Sequence, residues 1–230
     1  MKILHSILSG VVSICIIVIL LISAVDIAAY SDYGWYEEKY EKYEVLKELE
    51  MEMPEVLKVT REMMSYLRGN RENLVVDTIV AGEAREFFNE REKAHMVDVR
   101  HLFLIGLWTR RGAFAILFLC ILGMYKSKAP MTKMLPKAFI IGTGCFFAAV
   151  IAAGILFLSD FNKYFLMFHE VFFTNDLWLL NPDTDLLIRM LPEGFFLEMA
   201  IRIGIILLLM LGTALIISIC MLIKQRNKKN

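Results

Sequence analysis

The sequence predicts an all-α integral membrane protein: four transmembrane helices and a mainly helical extracytoplasmic cap. Three observations lead there. Hydrophobic residues make up 57% of the 230 positions and mean hydropathy is +0.56, above the apolar share of ordinary soluble domains. The apolar residues gather into four runs, each near the ~20 residues that cross a hydrocarbon core of ~30 Å. The charges cancel over the whole chain, 25 basic against 25 acidic, yet they are distributed unevenly between the runs.

The first span is placed at 3–29. Its apolar core exceeds the ~7–15 residues of a secretory leader, so it is read as retained rather than cleaved, although small residues cluster near Ala24 and Ala29. The outer cap follows at 30–100. "YEEKYEKYEVLKEL" sets charges three and four apart, as solvated helices do. "MPEVLKVTREMMSYLRGN" is a better-defined helix. Pro54 suits its first turn, Leu57, Met64 and Leu67 share a face, and Gly69 stops it. "NLVVDTIVAG" is short and β-branched and predicts one or two small strands. From Glu83 a helical pattern is expected to resume and run into the second span, 101–125. Arg110 and Arg111 interrupt that span and leave only about 21 Å of clean apolar helix after them. The helix is therefore expected to continue back through Leu102 and Trp108, with both arginines snorkelling to the outer headgroups.

The loop 126–137, "KSKAPMTKMLPK", carries four lysines and no acid, and the tail 224–230, "KQRNKKN", carries four basic residues and no acid. Residues 30–100 hold 11 basic and 17 acidic residues, and residues 160–200 hold two and seven. The excess of positive charge predicts that both termini and the 126–137 loop are cytoplasmic and that the two long loops face outward. The third and fourth spans fall at 138–159 and 201–223, and the whole chain reads as one membrane domain. Cys15, Cys120, Cys145 and Cys220 all lie within the spans, which favours small hydrophobes over a disulfide, redox or metal role. There is no basic stripe interleaved with aromatics and no zinc-finger spacing, so nucleic acid is not an expected partner.

The outer loop 160–200 is the chemically dense stretch. "NKYFLMFHEVFF" is an aromatic run with one histidine, of a length typical of an interfacial or re-entrant segment. "NPDTDLLIRMLPE" predicts a short amphipathic helix capped by Asn181, begun by Pro182, favoured by Asp183 and Asp185 at its positive end, and closed by Pro192. Read blandly, this is a membrane-hugging connector with an aromatic belt. A sharper reading pairs it with "HMVDVRHLF". On a helix, His95, Asp98, Val99 and Leu102 share one face while His101 points elsewhere. A carboxylate three residues on can fix a histidine's tautomer, so His95 and Asp98 form a candidate acid–base unit. His169 is expected at a similar depth, where the two histidines could meet across the bundle.

Other signatures fall away. "HEVFF" begins like a zinc-protease helix, but Phe173 stands where the second histidine belongs. There is no Gly-x-Ser-x-Gly elbow and no glycine-rich phosphate loop. No span carries an acidic residue at its centre, which weighs against transport.

"YEKYEV", "LKVTREMMSYLRG", "HMVDVRHLF" and "FHEVFFTNDLWLLNPDTDLLIRMLPEGFF" together resemble the bacterial lipoprotein intramolecular transacylases, the Lit family, over the whole length of the chain. The last two motifs carry the resemblance most specifically. It implies an enzyme of the bacterial cytoplasmic membrane that acts at the outer leaflet on lipoproteins whose N-terminal cysteine bears a diacylglyceryl thioether. Membrane lipid is the other expected partner, with no cofactor and no metal. The implied reaction moves the sn-2 acyl chain onto the α-amino group of the same cysteine and gives the lyso-form lipoprotein. By the same resemblance His95 and His169 are the catalytic pair, which of them is base and which acid being open. Asp98, Asn175, Asp176, Trp178 and Arg189 are expected in support. An oxyanion forms during attack on the ester, and Arg189, Asn175 or the Trp178 N–H could donate to it. Two other readings compete: a non-enzymatic receptor or accessory subunit whose acidic cap binds a partner, and a histidine-dependent lipid hydrolase.

Overall fold

In chain order the elements are α1 (Lys2–Tyr30), α2 (Tyr33–Lys42), α3 (Val45–Leu49), α4 (Met53–Leu67), β1 (Asp77–Val80), β2 (Glu83–Glu86), α5 (Glu90–Lys126), α6 (Met131–Ser159), α7 (Phe161–Phe172), α8 (Leu186–Met190) and α9 (Glu193–Asn227). The computed structural model describes residues 1–227; residues 228–230, the end of the expected basic tail, lie outside the described residues. The chain gathers into two compact units. One holds Met1–Ile27, Leu107–Ser159 and the chain from Ile203 onward, and the other holds Ala28–Gly106 and Asp160–Arg202. Most of both predicted outer loops therefore falls in a single unit.

The first unit contains the apolar parts of α1, α5, α6 and α9, the four helices among the described residues that are long and apolar enough to cross a membrane. Phe118, Leu119, Ile141 and Leu209 are each about two-thirds exposed. Outward apolar side chains of this kind suit a bilayer and not water. Ile17 and Ala24 of α1 pack with Phe139 of α6 and with Leu207 and Leu211 of α9. A Cβ on Gly142 would overlap Ser13 Oγ, so glycine there lets α6 approach α1 closely. Helix α5 runs without a break through Leu102 and Trp108, as expected. Arg110 meets Asp26 of α1 at 3.1 Å, so a carboxylate within the same unit neutralises its charge. Arg111 stacks on the Trp108 ring.

The second unit has its own aromatic core, in which Tyr36, Tyr40, Phe87, Phe88 and Met190 are almost fully buried. Asp32 caps α2 by accepting from the Gly34 and Trp35 amides. The left-handed backbone of Glu44 then breaks the acidic stretch into α2 and α3. Helix α4 has Pro54 in its first turn, buries Leu57, Met64 and Leu67, and ends just before Gly69. The two expected strands exist, but the second occupies residues read as helix. Glu83–Glu86 pairs antiparallel with β1, Val80 opposite Glu83. Ala81 and Gly82 both have positive φ, the two-residue hairpin turn that matches strand twist, and Gly82 takes that conformation without cost. Helix α5 therefore starts only at Glu90.

Its start is a reciprocal capping box. Asn89 Oδ1 accepts from the Glu92 amide, and Glu92 Oε2 accepts from the Asn89 amide at 2.7 Å. Glu92 is fully buried, and its Oε1 accepts from the Leu187 amide at 2.6 Å. Asn89 Nδ2 donates to Asp185 Oδ1 at 2.7 Å. The first turn of α5 is thereby tied to the start of α8. That helix is shorter than expected, because Asp185 accepts from Asn181 N and Thr184 Oγ1 and folds residues 181–184 into turns.

Candidate functional site

Within the second unit, α5 carries His95 and α7 carries His169. Asp160 caps α7 by accepting from the Lys163 amide, which fixes where the aromatic helix begins. The two imidazoles face one another with ring centroids 6.2 Å apart. Phe173, the residue that displaced a second zinc-protease histidine, sets its ring edge-on to His95 at 5.3 Å and lies 5.6 Å from His169. Phe165 packs edge-on to His169 at 4.5 Å, and Trp178 stacks on it at 5.0 Å. The histidine pair thus sits in an aromatic wall.

The two rings are held differently. His169 Nδ1 lies 2.7 Å from the carbonyl of Phe165. A carbonyl only accepts, so Nδ1 carries the proton and Nε2 presents its lone pair. His95 is 7% exposed and its Nδ1 has no hydrogen-bond partner. Burial, reinforced by His169 and partly offset by the carboxylate of Asp98, pushes His95 down to about 4 from the ordinary value near 6.5. Burial also lowers His169, and its bond to the Phe165 carbonyl opposes that shift. Both rings are therefore neutral at pH 7, each with one donor and one acceptor nitrogen.

Asp98 makes no hydrogen bond to His95 among the described residues; its Oδ2 accepts from Asn175 Nδ2 at 2.8 Å. The carboxylate acts on His95 through space alone. Asn175 closes an Asx turn by accepting the Leu177 amide, and its own carbonyl accepts from Trp178 Nε1 at 2.8 Å. The indole N–H is thus engaged, and that bond holds the ring flat on His169. Asp176 lies beside Arg91, which donates to its carbonyl. Arg189 donates to the carbonyl of Glu48 at 3.0 Å, while its Nε is buried without a partner. His101 is exposed, and His5 bonds Ser127 Oγ at 3.0 Å in the other unit. Among the described residues, no group of three His, Cys, Asp or Glu side chains converges as a metal site would require.

Sequence reasoning missed two features here. One is Phe173 as the partition shared by both rings. The other is the Asn89–Glu92–Asp185 network, whose signal was present in "NERE", an Asn followed three residues later by Glu at the start of a helix.

A protein-family model described as lipoprotein intramolecular transacylase Lit matches residues 10–196. Among solved structures, the chain is similar to the membrane integral lipoprotein intramolecular transacylase Lit from Bacillus cereus. Identity is 20%, coverage is 98% of this chain and 99% of that one, and the TM-score is 0.80. Two variants of that Bacillus cereus protein, with one histidine replaced by alanine or by arginine, match at 22% and 21% identity. Their coverages are 96% and 97% of this chain and 95% and 94% of theirs, with TM-scores of 0.77 and 0.75. A search of curated proteins finds no match. The family model spans the first three apolar helices, the hairpin and both histidine-bearing segments, far more than a shared apolar composition could account for. On that breadth the chain belongs to the lipoprotein intramolecular transacylase family and is a transacylase enzyme of the membrane.

Proposed function

We propose that this enzyme moves the sn-2 acyl chain of a diacylglyceryl lipoprotein onto the α-amino group of that lipoprotein's own N-terminal cysteine. The observation that carries the reading is the pair of a buried His95 and a half-buried His169, two neutral imidazoles with ring centroids 6.2 Å apart beside an aromatic wall, in a chain of this family. We place the reaction at the outer leaflet of the bacterial cell membrane, with both termini inside. The support is the charge asymmetry of the loops.

An α-amino group has a reference pKa near 8 and arrives mostly protonated at neutral pH. His169 is the better base of the two, because its Nε2 is free to accept and the Phe165 carbonyl stabilises the imidazolium that results. The freed amine attacks the ester carbonyl, an N–C bond forms, and the C–O bond to the sn-2 oxygen breaks. The departing glyceryl oxygen takes up a proton. Starting from the ammonium form, one proton is released overall. His95 stays neutral and serves as an N–H donor to the developing oxyanion, a role that a low pKa favours. Donor and acceptor belong to one molecule, so no acyl-enzyme is needed, and holding the amine against the carbonyl supplies several kcal/mol of the barrier. The aromatic wall excludes water that would divert the ester to free fatty acid.

In cells making a reporter lipoprotein, His95→Gln and His169→Gln should each nearly abolish N-acylation, since loss of a general base costs about 10²–10⁴ in rate and loss of a positioned oxyanion donor about 10²–10³. His101→Gln and His5→Gln should leave most of it. Near-normal N-acylation by a well-expressed His95→Gln or His169→Gln would end the two-histidine mechanism.

A further inference from the structure

Asp98 is a partly exposed carboxylate with no hydrogen bond to the histidine it was expected to orient. It stands one helical turn beyond His95 on the same face of α5 and is close enough for its charge to act on that ring. One of its oxygens is fixed by Asn175 Nδ2 at 2.8 Å. Asn175 in turn holds Trp178 through its carbonyl, and Trp178 stacks on His169. A chain of contacts thus joins the carboxylate to His169, while its charge acts on His95 through space. On the neighbouring loop, the nearest carboxylate in sequence, Asp176, is engaged with Arg91 of α5.

On the reading of this site as a transacylase, we propose that Asp98 is the anchor for the substrate's α-ammonium group, with Asn175 holding the carboxylate in place. The site must take a cation into an aromatic enclosure, and a cation so placed needs an opposite charge. An ammonium has three N–H donors. One meets the Asp98 oxygen that Asn175 leaves open, and another faces His169 Nε2. The anchor does not block the chemistry that follows. Asp98 favours positive charge nearby, whether on the amine or on an imidazole, so passing the proton from nitrogen to nitrogen keeps that charge beside it. Burial of the ammonium lowers its own pKa and moves it toward the histidine's. The anchor also gives the enzyme a specificity. A lipoprotein whose α-amine is already acylated has no cation and loses this contact.

The test measures binding without turnover. Two synthetic lipopeptides carry ether-linked glyceryl chains that cannot be transferred. One has a free N-terminal amine and the other is N-acetylated. Their affinities for the purified full chain in detergent are compared by calorimetry at pH 7. The wild type should prefer the free amine by about tenfold or more. Asp98→Asn keeps the size and an oxygen for Asn175 and should bring the ratio close to one. Asn175→Ala, which leaves the charge but frees it to move, should reduce the ratio without removing it. His169→Gln should retain the preference, because the anchor and the base are different groups. A wild-type ratio near one, or an undiminished ratio in folded Asp98→Asn, overturns the proposal. Failure of the transacylase reading looks different: the binding preference persists while the matching ester-linked lipopeptide yields no N-acylated product.

Discussion

Replacing Glu92 tests how the site is held. Its carboxylate is fully buried and accepts two backbone N–H groups, Asn89 at 2.7 Å and Leu187 at 2.6 Å. Burial raises its pKa, and the backbone donors pull it back toward the ionised form. Leaving a buried donor unsatisfied costs about 1–3 kcal/mol. Glu92→Ala strips the acceptor from both amides and should cost about 2–6 kcal/mol. Glu92→Gln retains one acceptor oxygen but turns an N–H₂ group toward the other amide, so about half that loss is expected. For a chain of this size each kcal/mol lowers the melting temperature by about 2–4 °C. The assay is thermal unfolding of the purified protein in detergent, paired with N-acylation of a reporter. Glu92→Ala should melt at least ~4 °C below wild type, with Glu92→Gln between them. Activity should fall in the same order, because Glu92 lies one turn before His95 and its partner Leu187 follows the loop that seats Trp178. If both variants melt within a degree of wild type, the carboxylate is not accepting these two amides and the reasoning fails.

Two further outcomes follow from the site and the charge pattern. Burial holds both histidines below their ordinary range, His95 at about 4, so the neutral pair is present above those values and is lost as pH falls through them. The acidic limb of the N-acylation rate at saturating substrate should therefore lie below pH 6.5, and an acidic limb at or above that value would contradict the neutral pair. For topology, a reporter fused after residue 132 or at the C-terminus should read cytoplasmic and one inserted near Asn70 external; a C-terminal tag open to protease in intact cells would reverse the orientation and remove the outward placement of the histidines.

Much of this architecture was legible in the chain because lipid is an unforgiving solvent. Four apolar runs of sufficient length leave the backbone no alternative to helix, and the apolar positions of α1, α5, α6 and α9 follow directly. Pro54, Leu57, Met64 and Leu67 likewise declare α4 through local preferences and one buried face. What stayed hidden depended on specific turns and on polar partners that local composition does not declare. Residues 83–86, Glu-Ala-Arg-Glu, have the composition of a helix, and only the Ala81–Gly82 turn and pairing with Asp77–Val80 make them a strand. Asn181 looks like a helix cap, yet its side chain accepts from the Asp183 amide and its own amide donates to Asp185, so these residues turn and the helix begins only after Asp185. Asp98 sits at ideal spacing to orient His95, yet Asn175, 77 residues further on, takes the bond. The ion pair of Arg110 with Asp26, 84 residues earlier, is declared by neither local sequence. For Asp98 and Arg110 the deciding contact is a polar partner distant in sequence, and for residues 83–86 and 181–185 it is a specific short turn that composition does not declare.

The central claim is intramolecular transfer, and the mass of the product tests it most directly. Substrate and product of such a transfer are isomers. Tandem mass spectrometry of one reporter lipoprotein, made with and without this enzyme, should give an N-terminal lipopeptide of unchanged total mass. Its amine should be blocked to labelling reagents, and fragmentation should yield a single fatty amide on the cysteine. A gain of one acyl chain would mean transfer from a separate phospholipid donor, and a loss of one would mean hydrolysis; either result contradicts the account.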